Sequence, residues 1–181
     1  MKIETSRQER GSGPVLPIGE MLRVLKALDA AGCEVWVAGG WGIDVLVGRV
    51  TRDHHDLDLL HRAEQEPVVI AELESLGYAE RPGAVPGRPA RFVMTDGRGH
   101  ELDLHPLHVG EDGSAVQHLD DRGAAFRYPA EVFVTGTIEG MRVRCLSVDQ
   151  QVAFHQGYEP RDRDLRDMAS LRAEFGVTTH F

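Results

Sequence analysis

The sequence predicts an α/β (α+β) protein: a mixed core of strands and helices followed by a small, mostly helical end. Three patterns carry that expectation. Apolar residues recur at helical spacing at Met21, Leu22, Leu25 and Leu28, and again at Leu165, Met168, Leu171 and Phe175. Short apolar runs at 35–38 and 56–60 lie between glycine and polar punctuation, as strands do. Two further pairs of strand-like runs, 91–95 with 100–105 and 132–138 with 141–145, flank tight turns at Asp96-Gly97-Arg98-Gly99 and Glu139-Gly140.

The elements follow in order. Residues 1–14 are polar, end in Gly-Ser-Gly-Pro and read as a loose leader. A helix from Ile18 stops at Gly32, and the buried strand 35–38 leads straight into a helix that begins at Gly39-Gly40 and runs to Val47. The strand 56–60 precedes a helix at 68–76, with Pro67 near its start and Gly77 at its end. Proline and glycine between 82 and 89 mark a surface loop. Ser147 and Gln150 have the spacing of a capping box opening a helix through Gln156, and a last helix follows Pro160. The organisation expected is a mixed α/β core over 15–110 and a C-terminal hairpin with helices over 126–181, with 110–131 carrying no clear periodicity.

Composition narrows the function. A length of 181 residues suffices for one domain with a real core, and a net charge of −9 argues against a general nucleic-acid binder. The same charge favours a cationic small molecule and repels a nucleotide unless metal ions intervene. Neither a signal-like apolar run nor a bilayer-length segment is evident, so a soluble, cytoplasmic protein without a membrane partner is expected. Cys33 and Cys145 read as reduced thiols, and a homodimer is left open.

Chemistry concentrates at the acids. Side chains on a strand alternate, so Asp56 and Asp58 share one face about 7 Å apart, while Leu57 and Leu59 enter the core. Aspartate is depleted in strands, and two on one face need a compensating partner. The run Glu101-Leu102-Asp103-Leu104-His105 offers further carboxylates on one face; Asp103, between two leucines, is favoured over Glu101. Like charges about 4 Å apart repel by about 4 kcal/mol at an effective dielectric of 20, so a converging trio calls for a divalent cation with oxygen ligands. The Gly39-Gly40 pair joins strand to helix, where backbone N–H groups bind phosphate. Arg52 and His54 precede the aspartates at even spacing; Arg52 either meets phosphate or pairs with Asp53. Trp41 reads as core and Asp44 as an internal brace, and the alternating charges of 161–167 read as a solvated helix face. The histidines lack zinc-ligand spacing, and no Gly-x-Ser-x-Gly is present.

Taken together, Gly39-Gly40-Trp41-Gly42-Ile43-Asp44, Gly48-Arg49 and Thr51-Arg52-x-His54-x-Asp56-Leu57-Asp58 resemble the signature of antibiotic nucleotidyltransferases of the DNA polymerase β-like superfamily. Lincosamide nucleotidyltransferases are nearest and aminoglycoside 2″-nucleotidyltransferases next. The likeness continues through Leu102-Asp103-Leu104-His105-Pro106, Asp112-Gly113-Ser114 and Phe154-His155-Gln156-Gly157-Tyr158, then Asp164 and Asp167. It implies a twisted mixed sheet flanked by helices, with a helical C-terminal part closing a cleft. It implies transfer of a nucleoside monophosphate from an NTP to an antibiotic hydroxyl, with release of pyrophosphate. Asp56 and Asp58 match the family's metal pair, and Asp103 its third carboxylate, as metal ligand, base or both. Two Mg²⁺ ions are expected with the NTP. Gly39, Gly40, Arg52 and His54 are placed on the nucleotide side, and Glu101 and His105 toward the acceptor. The leader and the 82–89 loop depart from the pattern. Two other readings are a protein hydroxyl as acceptor, as in antitoxin-type relatives, and a silent nucleotide-binding module.

Overall fold

The computed structural model describes residues 13–181, so most of the expected leader lies outside the described residues. Helix α1 (Ile18–Ala30) buries Met21, Val24, Leu25 and Leu28 along one stripe. Strand β1 (Val35–Ala38) is buried throughout and runs directly into α2 (Gly39–Val47), which ends at Gly48 in the left-handed conformation. Strand β2 (Asp56–Arg62), helix α3 (Glu66–Ser75) and strands β3 (Ala79–Arg81), β4 (Phe92–Thr95) and β5 (Glu101–Val109) follow. The 110–131 region contains β6 (Ala115–His118) and β7 (Ala125–Tyr128). Strands β8 (Phe133–Ile138) and β9 (Met141–Leu146) form the second hairpin, and α4 (Val148–Phe154) and α5 (Asp162–Phe175) complete the chain. No helix among the described residues is long and apolar enough to cross a membrane.

These strands make one twisted, mixed sheet in the order β3-β4-β5-β2-β1-β9-β8, with β6 and β7 continuing from β5. The pairs β2/β5 and β1/β9 are parallel and the rest antiparallel. The C-terminal hairpin therefore extends the same sheet, and α4 and α5 alone supply the helical end. One face packs Leu57, Leu59, Leu102 and Leu104 in a core shared with α1 and α3. The opposite face carries Trp36, Leu60, Leu107 and Tyr128. A third cluster, Ile43 and Val47 with Met168 and Leu171, docks α2 on α5. Burying each such side chain contributes about 1.5–3 kcal/mol.

Helix α5 corrects one expectation. Its buried face is Asp164, Asp167, Met168 and Leu171, while Leu165 and Phe175 are exposed. The run of alternating charge is therefore not a wholly solvated face. Asp164 accepts the Arg161 backbone N–H at 2.9 Å and caps the helix, and Asp167 pairs with Arg52.

Candidate active site

Parallel pairing of β2 with β5 sets Asp58 directly opposite Asp103, and Asp56 opposite Glu101. Residues opposite one another in register share a face, so the two aspartates meet on the side away from α1 and α3. His105 joins them: its Nε2 lies 3.6 Å from Asp58 Oδ1 and 3.6 Å from Asp103 Oδ1. One donor atom from each of Asp58, Asp103 and His105 falls within 4.8 Å of the others. Two carboxylates converging so closely suit a hard divalent cation, which prefers oxygen ligands. Asp56 shares their strand face one pair along and borders a cleft containing Arg52.

Asp103 is 0 % exposed and bound to the guanidinium of Arg91, Nη1 to Oδ2 at 2.6 Å. The same guanidinium donates through Nη2 to the Val85 carbonyl at 2.9 Å, fastening the proline-rich loop to the carboxylate. Glu101 instead pairs at 2.7 Å with the half-exposed Arg81 at the margin.

A hydrogen-bond chain orients His105. Tyr128 donates to Gln117 Oε1 at 2.9 Å, which turns the Gln117 amide nitrogen toward the Ala90 carbonyl at 2.9 Å and His105 Nδ1 at 3.2 Å. In the neutral ring Nδ1 therefore accepts, and Nε2–H faces the carboxylates. Burial draws the imidazole's pKa down, but the charges of Asp103 and Asp58 more than offset it, and the net direction is upward.

The glycine turn is built by close approach. Because Ala38 pairs with Asp58, the next residue passes beside that carboxylate: a Cβ on Gly39 would lie 2.3 Å from Asp58 Oδ2. Gly39 also has φ +60°, a conformation that favours glycine. At Gly40 a Cβ would meet Arg52 Nη2 at 2.2 Å and His54 Nδ1 at 2.6 Å. His54 is 2 % exposed, packs its ring 4.3 Å from that of Trp41 and reaches Asp44 Oδ2 at 2.6 Å. Asp44 also accepts from the Thr51 hydroxyl and, at 3.2 Å, from the Thr51 backbone N–H. His54 thus stands behind the turn and braces it, which does not fit direct contact with nucleotide. Trp41 is core and Asp44 ties the 48–55 loop to α2, as their spacing suggests.

The strongest anchor of Arg52 is a residue far along the chain, which its sequence position does not suggest. Its Nε and Nη2 make a bidentate pair with Asp167 at 2.7 and 2.8 Å, and Nη1 donates to the Asp53 carbonyl at 2.9 Å. Desolvation would lower its pKa, but Asp167, Asp44 and Asp56 together raise it. Arg91, Gln117 and Tyr128 orient the site although no sequence motif marks them. An arginine two residues before Val93, which pairs with Asp103, is the one signal that pointed to Arg91.

A glycine-opened helix set against register-matched aspartates on a mixed sheet defines a nucleotidyltransferase, and known proteins agree. Over residues 20–171 the chain matches the aminoglycoside-2''-adenylyltransferase family, and it belongs to that family. A lincosamide resistance protein of Staphylococcus haemolyticus is 29 % identical over 154 residues, covering 85 % of this chain and 93 % of that protein. A 2''-aminoglycoside nucleotidyltransferase of Escherichia coli is 42 % identical over 55 residues, 30 % of this chain and 31 % of its own. Among solved structures, the lincomycin-bound lincosamide antibiotic adenylyltransferase LnuA superposes with a TM-score of 0.80 at 28 % identity, over 88 % of this chain and 99 % of LnuA. The ANT(2'')-Ia complex with adenylyl-2''-tobramycin shares the fold, with a TM-score of 0.67 at 22 % identity over 86 % of this chain and 87 % of its own.

Proposed function

We propose that this nucleotidyltransferase moves a nucleoside monophosphate from an NTP to a hydroxyl of a cationic antibiotic, with a lincosamide as the favoured acceptor. The observation that carries the reading is the juxtaposition of Asp58 with Asp103 beside the Gly39-Gly40 turn. The lincosamide preference is supported by likeness extending along most of the chain to a lincosamide resistance protein, against a short matching segment for an aminoglycoside enzyme.

In this reading Asp58 and Asp103, with Asp56 on the same face, hold Mg²⁺. When bound, the metal neutralises phosphate charge and polarises the reacting phosphoryl group. Backbone N–H groups at the start of α2 orient the phosphates. Asp103 accepts the proton of the acceptor hydroxyl as its oxygen forms a bond to the α-phosphorus. The bond from that phosphorus to the bridging oxygen breaks, and its electron pair leaves with pyrophosphate. Arg91 holds one oxygen of Asp103 in place throughout.

The test is incubation of the full chain with Mg²⁺, each NTP and a panel of lincosamides and aminoglycosides, followed by mass spectrometry. A nucleotidyl adduct of a lincosamide is expected, with stoichiometric pyrophosphate. Asp103→Asn should lower turnover by about 10²–10⁴-fold, the usual worth of a positioned base. Absence of any adduct across the panel overturns the proposal.

A further inference from the structure

The sheet face turned away from the aspartate pair holds a buried histidine whose acceptor nitrogen looks at another acceptor. Side chains alternate along β2, so His61 projects from the side opposite Asp58, the side of Leu57 and Leu59. Its Nδ1 lies 3.0 Å from the Arg62 carbonyl, which only accepts, so Nδ1 carries the hydrogen and Nε2 of the neutral ring presents a bare lone pair. Burial keeps the ring in that form at neutral pH by pushing its pKa down to about 4. His61 is 0 % exposed, and its Nε2 has no hydrogen-bond partner among the described residues. Across from it stands Glu66 Oε2, at 3.8 Å, beyond hydrogen-bond range. Arg88 Nη2 pairs with the other oxygen, Oε1, at 3.0 Å, which settles the oxygen that faces the imidazole.

A lone pair and a carboxylate oxygen set face to face complement a cation and not each other. Zinc bonds to imidazole nitrogen and to carboxylate oxygen add up to about 4.1 Å, more than the observed gap, so one ion reaches both atoms. An Nδ1–H held by a main-chain carbonyl is also the support a metal-bound histidine usually receives. Glu66 lines a cleft of about 320 Å³ together with Pro106, which lies opposite His61 in register, and with His108 and His118. His108 follows Pro106 by two residues and so shares the face of His61. His108 pairs with Val116, two residues before His118, so the two imidazoles are diagonal neighbours on one face, their rings 5.0 Å apart. Both are exposed at the rim and reach the gap by turning inward about their Cα–Cβ bonds. Three imidazoles and one carboxylate suit a zinc-like ion, whereas Mg²⁺ prefers oxygen throughout. The four residues come from β2, α3, β5 and β6, so no local spacing marks them.

We infer that His61, Glu66, His108 and His118 form a site for one divalent transition-metal ion of the zinc class, which fastens the β2–α3 junction to the β5–β6 hairpin. The inference does not depend on the nucleotidyl-transfer reading. Its test is calorimetric titration of the full chain with Zn²⁺ in excess Mg²⁺, with Co²⁺ as the spectroscopic probe of geometry. All variants carry Asp58→Asn, so that the aspartate pair on the other face contributes little. Replacing the wholly buried His61 risks the fold itself, so Glu66→Gln and the exposed pair His108→Ala/His118→Ala are the deciding changes. The Asp58→Asn parent should bind one Zn²⁺ and give the intense visible bands of tetrahedral Co²⁺. Either further change should weaken Zn²⁺ by about tenfold or more, the least expected from disturbing a metal's ligand set, and should bleach those bands. Zn²⁺ should raise the Tm of the parent and leave that of the further variants nearly unmoved. Zn²⁺ binding undiminished by either change overturns the site, as does its loss through Asp58→Asn alone or a pale octahedral Co²⁺ spectrum. Any of these results would leave a water molecule, and no metal, between His61 and Glu66.

Discussion

Asp103 lies wholly inside the protein, and an ionised carboxylate there costs several kcal/mol unless a partner compensates. Arg91 is that partner, itself almost completely buried, so the pair is held by mutual dependence. Removing only one member takes from the other its direct buried counter-charge. Arg91→Met should therefore destabilise the fold by about 3–5 kcal/mol in urea denaturation. Arg91→Lys should recover much of this but release the Val85 carbonyl, which the compact ammonium cannot reach together with Asp103. A loss below 1 kcal/mol for the methionine variant would show that the pair is dispensable. Asp103 itself was legible because strand alternation and flanking leucines mark a buried acid. Its arginine was much less so, since the partner arrives from β4 through tertiary pairing. Asp56, Asp58 and Asp103 stood out by residue type, whereas the burial of His54 did not: nothing local says that a polar loop residue will fold behind a glycine turn.

Among elements, α2 is the one most constrained by its neighbours. Its opening glycines admit Asp58 on one side and the Arg52 and His54 side chains on the other. At position 40 the Arg52 tip is held by Asp167 and the Asp53 carbonyl, and the His54 ring is wedged between Trp41 and Asp44. Gly40→Ala should cost about 1–3 kcal/mol through this overpacking. It should lower Tm by several degrees at this chain length, read by calorimetry. A Tm within a degree of wild type would mean that the loop yields instead. Strand–helix junctions such as this were readable from glycine placement. The short strands β3, β6 and β7 were not, because each is three or four residues long and is specified by the edge it pairs with rather than by its own pattern. The face of α5 was misread for a related reason: Asp164 and Asp167 look solvated by composition, yet one caps the helix and the other meets Arg52 across the fold.

For the molecule as a whole, His61 links stability to pH. It has no exposed surface, its Nε2 has no hydrogen-bond partner among the described residues, with Glu66 Oε2 3.8 Å away, and burial above all pushes its pKa down to about 4. The unfolded chain, with an ordinary value of about 6.5, takes up the proton first, so this residue favours folding above that pH. The advantage erodes as pH falls from about 6.5 toward 4. Between pH 7 and 5 it amounts to about 2 kcal/mol. His61→Leu should flatten the pH dependence of urea midpoints over that range, and parallel curves for the two proteins would refute the assignment. The mixed sheet itself was foreseeable from alternating patterns, but strand order was not, because β5 pairs on one edge with its neighbour β4 and on the other with β2, much earlier in the chain. That pairing carries a further consequence. Asp58 and Asp103 come from distant stretches and adjoin solely through correct parallel alignment, and a slip by a single residue would turn one of them to the opposite side. The acidic cluster is thus a property of the assembled sheet and of neither strand alone: until β2 and β5 lie side by side in this alignment, Asp58, Asp103 and His105 have no common meeting point.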